Sequence, residues 1–178
     1  LQVIDKVTYR ADGAGYLKPG FDKIFMVDAD GGAPRQLTFG AYSDGPPEWT
    51  RDGGTIIFSA LRAPDWELAG RESEIYRLDI ASGQLTALTD RKGPDAGPEV
   101  SPDGRSIAFI GFDDTPKAYE QSHIYVMPVT GGPARRIAPG LDRDINQIEW
   151  APDGRGVIVG YEENGSVTIA RVGLDGSV

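Results

Sequence analysis

Val100-Ser101-Pro102-Asp103-Gly104-Arg105-Ser106-Ile107-Ala108-Phe109-Ile110 decides the fold, because the chain writes the same phrase twice more. Pro47-Glu48-Trp49-Thr50-Arg51-Asp52-Gly53-Gly54 leads into Thr55-Ile56-Ile57-Phe58-Ser59-Ala60, and Ile148-Glu149-Trp150-Ala151-Pro152-Asp153-Gly154-Arg155 leads into Gly156-Val157-Ile158-Val159-Gly160-Tyr161. Gly53 and Gly104 are 51 residues apart, Gly104 and Gly154 are 50 apart. Recurrence at such a period marks a repeat architecture. In Ser-Pro-Asp-Gly, proline presets φ for the first corner of a type I turn, aspartate tolerates the second, and glycine takes the left-handed conformation behind which two strands can pair. Each copy therefore reads as a hairpin.

A second motif runs in phase with the first. Ile24-Phe25-Met26-Val27-Asp28, Ile75-Tyr76-Arg77-Leu78-Asp79 and Ile124-Tyr125-Val126-Met127-Pro128 are each followed by a glycine turn and a further strand-like run. One repeat is thus four antiparallel strands in a meander, A to D, placed in the second unit near 46–50, 54–60, 74–80 and 84–89. Strand B is apolar on both faces, as Ile56-Ile57-Phe58 and Ile107-Ala108-Phe109-Ile110 show. A sheet with one wet face would alternate instead. Small sheets covered on both sides and repeated around a ring are the blades of a β-propeller. The expected fold is all-β: a partial propeller with two complete four-stranded blades (44–90 and 95–139) and two incomplete ones (1–39 and 145–178). Residues 1–39 are expected to supply strands like B, C and D. Propellers typically close with about 4–8 blades, so the chain is read as part of a longer ring.

Lys and Arg number 18 against 27 Asp and Glu, a net charge of −9. That balance argues against a nucleic-acid surface, which needs clustered cations. With no cysteine, neither disulfides nor thiolate chemistry is available; this fits a reducing compartment and places the cytoplasm ahead of the periplasm as the expected location. No run of ~18 apolar residues marks a membrane-spanning helix, and no membrane partner is expected.

Chemistry of its own is hard to find. The one histidine, His123, opens the strand Ile124–Val126 and has no Gly-x-Ser-x-Gly elbow to serve; it reads as a structural residue. Asp28-Ala29-Asp30-Gly31 begins like a calcium loop, but Pro34 and a strand follow at once. The neighbouring carboxylates Asp113-Asp114 and Glu162-Glu163 point to opposite sides of an extended chain and form no dyad. Gly31-Gly32 and Gly131-Gly132 lack the helix that a phosphate loop needs. The expectation is no catalytic residue, no metal ligand and no cofactor.

Binding is expected on one face. The A–B and C–D turns leave a meander by one end and are tight. The B–C loops (61–73 and 112–122) and D–A loops (90–96 and 139–146) leave by the other and are long, which is where binding residues collect. This face carries Arg62, Asp65, Trp66, Asp113, Asp114, Tyr119, Arg143 and Asp144, with the aromatic and arginine types that anchor interfaces. Trp49 and Trp150, in strand A, are expected to pack between blades. The open ends of the array expose unpaired faces, which favours self-association.

Pro-x-Trp-x-Pro-Asp-Gly-x-x-Ile-x-Phe followed by Ile-Tyr-x-x-Asp-x-x-Gly-Gly-x-x-Arg-x-Leu-Thr resembles the WD-like propeller repeat shared by the prolyl oligopeptidase family and TolB. Tyr9–Tyr16, Gln36-Leu37-Thr38, Ser59–Arg62 with Asp65-Trp66-Glu67, Thr89-Asp90-Arg91 and Leu141–Asp144 look like the amino-terminal propeller of acylaminoacyl-peptidase-like members. Thr50-Arg51 in place of Ser-Pro, and Val100 in place of Trp, depart from the pattern. The resemblance implies a propeller that gates peptide substrates and docks on a carboxy-terminal α/β-hydrolase domain. None of that domain's catalytic positions is in this chain, and the blades here are longer than TolB-type repeats. The other reading it leaves is a TolB-like binding propeller with no enzymatic partner.

Overall fold

A computed structural model of the chain describes residues 3–115 and 117–178, and among them every regular element is a β-strand. Residues 1–2, and Pro116 within the 112–122 loop, lie outside the described residues. In chain order β1 (Arg10–Ala11) pairs only with β2 (Gly15–Tyr16), and β3 (Phe25–Met26) only with β4 (Arg35–Gln36). Blade two is the meander β5 (Glu48–Trp49), β6 (Thr55–Ala60), β7 (Glu74–Asp79) and β8 (Leu85–Ala87). Blade three is β9 (Asp95–Val100), β10 (Ser106–Gly111), β11 (His123–Pro128) and β12 (Arg135–Ile137). Blade four has three strands: β13 (Ile145–Trp150), β14 (Gly156–Glu163) and β15 (Ser166–Gly173). The chain is a partial β-propeller.

The repeated turns close as their chemistry requires. Gly104 N–H donates to the Ser101 carbonyl at 2.8 Å with φ at 73°, and the same bond recurs from Gly53 to Thr50 (2.9 Å) and from Gly154 to Ala151 (2.8 Å). The aspartate does more than tolerate its corner. Asp103 Oδ1 accepts from Ser101 Oγ (2.6 Å) and Arg105 N (3.0 Å), while Asp52 Oδ1 accepts from Thr50 Oγ1 (2.7 Å) and Gly54 N (3.1 Å). These donors hold both carboxyls below the usual carboxylate range, the hydroxyl contributing most.

Strand B explains its own composition. Ile56, Phe58 and Ala60 face back to Ile24 and Leu37 of blade one, whereas Ile57 faces forward to Ile107, Phe109 and Met127 of blade three. Ala108, on the opposite face of the next strand B, packs with Val157, Val159, Tyr161 and Val172 of blade four. The core is therefore three apolar layers between sheets, and each fully buried Ile or Phe contributes about 1.5–3 kcal/mol. β9 packs on β5 and β13 packs on β9, which makes the A strands the converging inner edge.

Two expectations are corrected. The strand-B partner expected for blade one does not form, because residues 10–16 fold back on themselves; Gly13 and Gly15 take φ of 79° and 74°, and β1–β2 stands as a separate hairpin. Trp150 does bridge blades, its Nε1 donating to the Glu99 carbonyl at 2.9 Å. Trp49 is 47% exposed instead, since among the described residues blade one has no strand A for it to cover. The B–C connection of blade four is also short. Asn164 and Gly165, with φ of 52° and 77°, make a two-residue hairpin turn where blades two and three carry insertions.

Candidate functional site

The B–C and D–A connections leave the blades at one end and build three stations along it. The first lies over blades one and two. The B–C loop of blade two turns tightly at Asp65, whose carbonyl accepts from Leu68 N at 2.8 Å, and this brings Trp66 edge-on to Phe21 with ring centroids 5.6 Å apart. Glu67 Oε2 accepts from Val7 N at 3.4 Å, so the N-terminal segment is drawn onto the same loop. Tyr9, Tyr16, Phe21 and Trp66 then wall a cleft of about 470 Å³, with Lys6 and Lys18 at its rim. Lys6 Nζ sits 4.9 Å from the Phe21 ring centre. Arg62 is turned away from solvent. Its Nε donates to Asp44 Oδ1 at 3.1 Å, and its guanidinium lies 5.6–5.7 Å from the Tyr42, Phe58 and Tyr76 rings.

The second station joins blades two and three. Arg91 is bonded to the buried Asp95 and lies 4.1 Å from the Tyr125 ring centre. Asp113 Oδ1 stands 3.6 Å from Arg91 Nε, and Asp114 Oδ1 is 3.7 Å from Arg71 Nη2. Burial lifts the Asp95 carboxyl more than the arginine beside it pulls it down. Glu74, bonded by Thr89 Oγ1, is pushed up to about 7, first by burial and then by Asp95, Glu72 and Asp90. His123 is half-buried and its ring is pushed below its usual range, by burial first and then by Arg136, so it stays neutral at pH 7.

The third station is polar. Tyr119, 65% exposed, shares a cleft of about 550 Å³ with Gln121, Arg143, Asp144 and Glu162. Arg143 pairs with Glu163, and Asp144 Oδ1 accepts from Ser122 N at 2.8 Å. The eight residues singled out in the sequence are thus distributed: Tyr119, Arg143 and Asp144 meet in one cleft, Trp66 walls another with Asp65 turning the loop that carries it, Asp113 and Asp114 stand by Arg91 and Arg71, and Arg62 is engaged with Asp44.

Two features were missed in the sequence. One is the aromatic wall from Tyr9, Tyr16 and Phe21, which carries no repeat signal. The other is a ladder of glutamates on the A strands, Glu48, Glu99 and Glu149, spaced by 51 and 50 residues. Their spacing was the available signal, and the adjacent turn motif obscured it. Burial, then Glu48 and Glu149, lift the Glu99 carboxyl to about 7. Among the described residues no group of three or more His, Cys, Asp or Glu is arranged to hold a metal ion.

No family model matches the chain. Over 111 residues it is 27% identical to Dipeptidyl-peptidase 5 of Porphyromonas gingivalis, a match covering 61% of this chain and 16% of that protein. Over 94 residues it is 33% identical to the Tol-Pal system protein TolB of Francisella tularensis, covering 51% of this chain and 19% of the relative. The chain thus spans less than a fifth of the length of either. Among solved structures, TolB from Acinetobacter baumannii superposes with a TM-score of 0.68 at 24% identity, over 87% of this chain and 36% of that one. The repeat resembles those of TolB propellers and of peptidase propellers alike.

Proposed function

We propose that this chain is the non-catalytic propeller part of a serine peptidase of the prolyl oligopeptidase family, which gates peptide access to an α/β-hydrolase domain and docks on it through the long-loop face. The observation that carries the reading is the gathering of the extended B–C loops and the N-terminal segment on one face, where Trp66, Phe21, Tyr9 and Tyr16 present an aromatic cleft. Aromatic side chains offer large contact area at small entropic cost, which suits both a docking surface and peptide capture. The match to a dipeptidyl-peptidase supports the same assignment. A cytoplasmic location belongs to this reading.

The alternative is a protein-binding propeller like TolB, and the higher identity to that relative favours it. The gene product containing this chain separates the two. Under the peptidase reading a fluorophosphonate labels a serine outside these 178 residues, and Trp66→Ala or Arg143→Ala changes kcat/KM for peptides while Asp103→Ala, on the tight-turn face, does not. Failure of any serine to label removes the peptidase assignment. Unchanged turnover and domain association in both long-loop variants, with Asp103→Ala impaired, assigns docking to the other face.

A further inference from the structure

The residue before the strand-C isoleucine is a different titratable group in each copy: Lys23, Glu74 and His123 precede Ile24, Ile75 and Ile124. Past strand D the series runs Thr38, Thr89, Ala138, and on entry to the next strand A it runs Asp44, Asp95, Ile145. Blade one fills these places with a fixed ion pair. Lys23 Nζ stands 3.7 Å from Asp44 Oδ2, and Thr38 Oγ1 accepts from Ile24 N at 2.9 Å. Blade two keeps the threonine, with Ile75 N donating to Thr89 Oγ1 at 2.9 Å, but sets a second carboxyl where the lysine was.

Thr89 Oγ1 is bonded to Glu74 Oε2 and also serves Asp95, whose other partner is Arg91. A hydroxyl has one proton to give and two lone pairs to fill. It cannot donate to two carboxylates at once. Protonation of Glu74 ends the conflict: the Ile75 N–H and the Glu74 O–H fill the two lone pairs, and the threonine proton goes to Asp95.

This cluster sits in the seam between two complete blades. Asp95 N donates to the Ser73 carbonyl at 2.8 Å, and Ser73 Oγ to the Asp95 carbonyl at 2.9 Å. Gly93 N donates to Glu72 Oε2 at 3.1 Å, and Asp114 N to the Lys92 carbonyl at 2.9 Å. Residues 92–95 thus run between the start of strand C in blade two and the B–C loop of blade three. A Cβ on Gly93 would collide with the Phe112 carbonyl, so the fit is close.

The charges around Glu74 oppose its ionisation. Glu72 and Tyr76 flank it on its own strand, and Asp90 and Asp95 act on it from the D–A connection. Arg91 is engaged by Asp95, with Asp113 Oδ1 3.6 Å from its Nε. On the strand-B side Arg62 and Asp44, bonded to each other, lie near Tyr76. Burial first, then Asp95, Glu72 and Asp90, set the Glu74 carboxyl at about 7.

We propose that Glu74 is a proton switch in the joint between blades two and three. Protonated, it completes the chain Glu74–Thr89–Asp95–Arg91 and holds residues 92–95 in the seam. Ionised, it takes back the threonine proton, stands against Asp95, and loosens the seam on the long-loop face. The switch needs no feature of the peptidase reading.

Hydrogen exchange of the gene product containing this chain tests it, with rates divided by the intrinsic rate at each pH. Protection at the Gly93, Asp95 and Asp114 amides is expected to fall about tenfold between pH 6 and 8, while residues 54–60 and 106–110 keep theirs. Glu74→Gln, whose amide can still donate to Thr89, keeps the seam protected across that range. Glu74→Lys, which copies Lys23, also removes the pH step. Thr89→Val lowers seam protection at pH 6 toward the wild-type value at pH 8. Protection that does not change with pH in the wild type overturns the proposal. So does a step that persists in Glu74→Gln, which would assign the titration to another group such as His123, or a loss shared equally by the blade cores.

Discussion

Asp44 and Asp95 stand at the same point of successive blades, 51 residues apart, and each buried carboxylate meets an arginine that arrives by a different route. Arg62 comes from the start of a B–C loop, whereas Arg91 comes from a D–A loop four residues before its partner. Both guanidinium groups end over the strand-C tyrosine, 5.7 Å from the Tyr76 ring centre and 4.1 Å from that of Tyr125. In blade four the equivalent position is Ile145, 2% exposed, with Tyr161 opposite it where Ala60 and Gly111 lie opposite the aspartates. A small residue thus faces each ion pair, and a large one faces the apolar substitute.

That comparison gives a stability prediction. Asp95→Ala alone leaves the Arg91 charge half-buried without its partner and should cost about 3–5 kcal/mol. Asp95→Ile combined with Arg91→Met copies the apolar solution of blade four and should restore most of that loss. Chemical denaturation of the two variants checks it; a double variant no more stable than the single one would show that the ion pair itself is required.

The pH dependence follows from Glu74 and Glu99. Both have folded-state carboxyls at about 7 against an ordinary 4.5, burial being the first cause in each. The folded chain therefore holds these protons more tightly than the unfolded chain does. Their contribution is fully favourable below the ordinary value and is lost as pH rises to 7. Stability should fall between pH 5 and 8. Glu99→Gln should regain ~1 kcal/mol at pH 8 after solvent screening, or about 2–4 °C in melting temperature, with little change at pH 5. A variant with the same gain at both pH values would point to packing as the cause.

The architecture was legible because it is local chemistry repeated. Pro-Asp-Gly fixes a turn wherever it stands, and consecutive Ile56-Ile57-Phe58 can only serve a strand covered on both faces. Residues 3–21 were not legible, because they have no second copy against which to be compared and their position depends on Trp66 and Glu67 in a distant loop. Arg62 was placed on the binding face by residue type, but its orientation follows from Asp44, which is distant in sequence and carries no motif. Asn164-Gly165 was a hairpin signal between alternating residues and marked where the B–C insertion stops.

Trp66 is expected to hold the N-terminal segment. Its edge contact with Phe21 and the nearby Glu67–Val7 bond are the links described between that segment and blade two's loop. Trp66→Ala should leave the blades folded and speed cleavage within residues 3–20 in limited proteolysis. Trp66→Phe, which keeps a ring against Phe21, should restore protection. Equal cleavage of wild type and Trp66→Ala would mean that the segment is held by other contacts.

Ile124 and Ile169 occupy equivalent strand-C positions, yet one is 2% exposed and the other 75%. Ile124 is covered by blade four, packing with Val157, Val159 and Val172. Ile169 and Ile158 lie on the matching outer face, where among the described residues no sheet packs. A bared face of this kind favours association of the chain with itself. Sedimentation should show concentration-dependent association that Ile169→Asp suppresses. Because Ile169 is exposed, the substitution should barely change the melting temperature measured in dilute solution, whereas Ile124→Asp, at a covered position, should unfold the array. If the chain sediments as a monomer at millimolar concentration, or if Ile169→Asp destabilises the dilute chain as much as Ile124→Asp does, then this face is not an open packing surface.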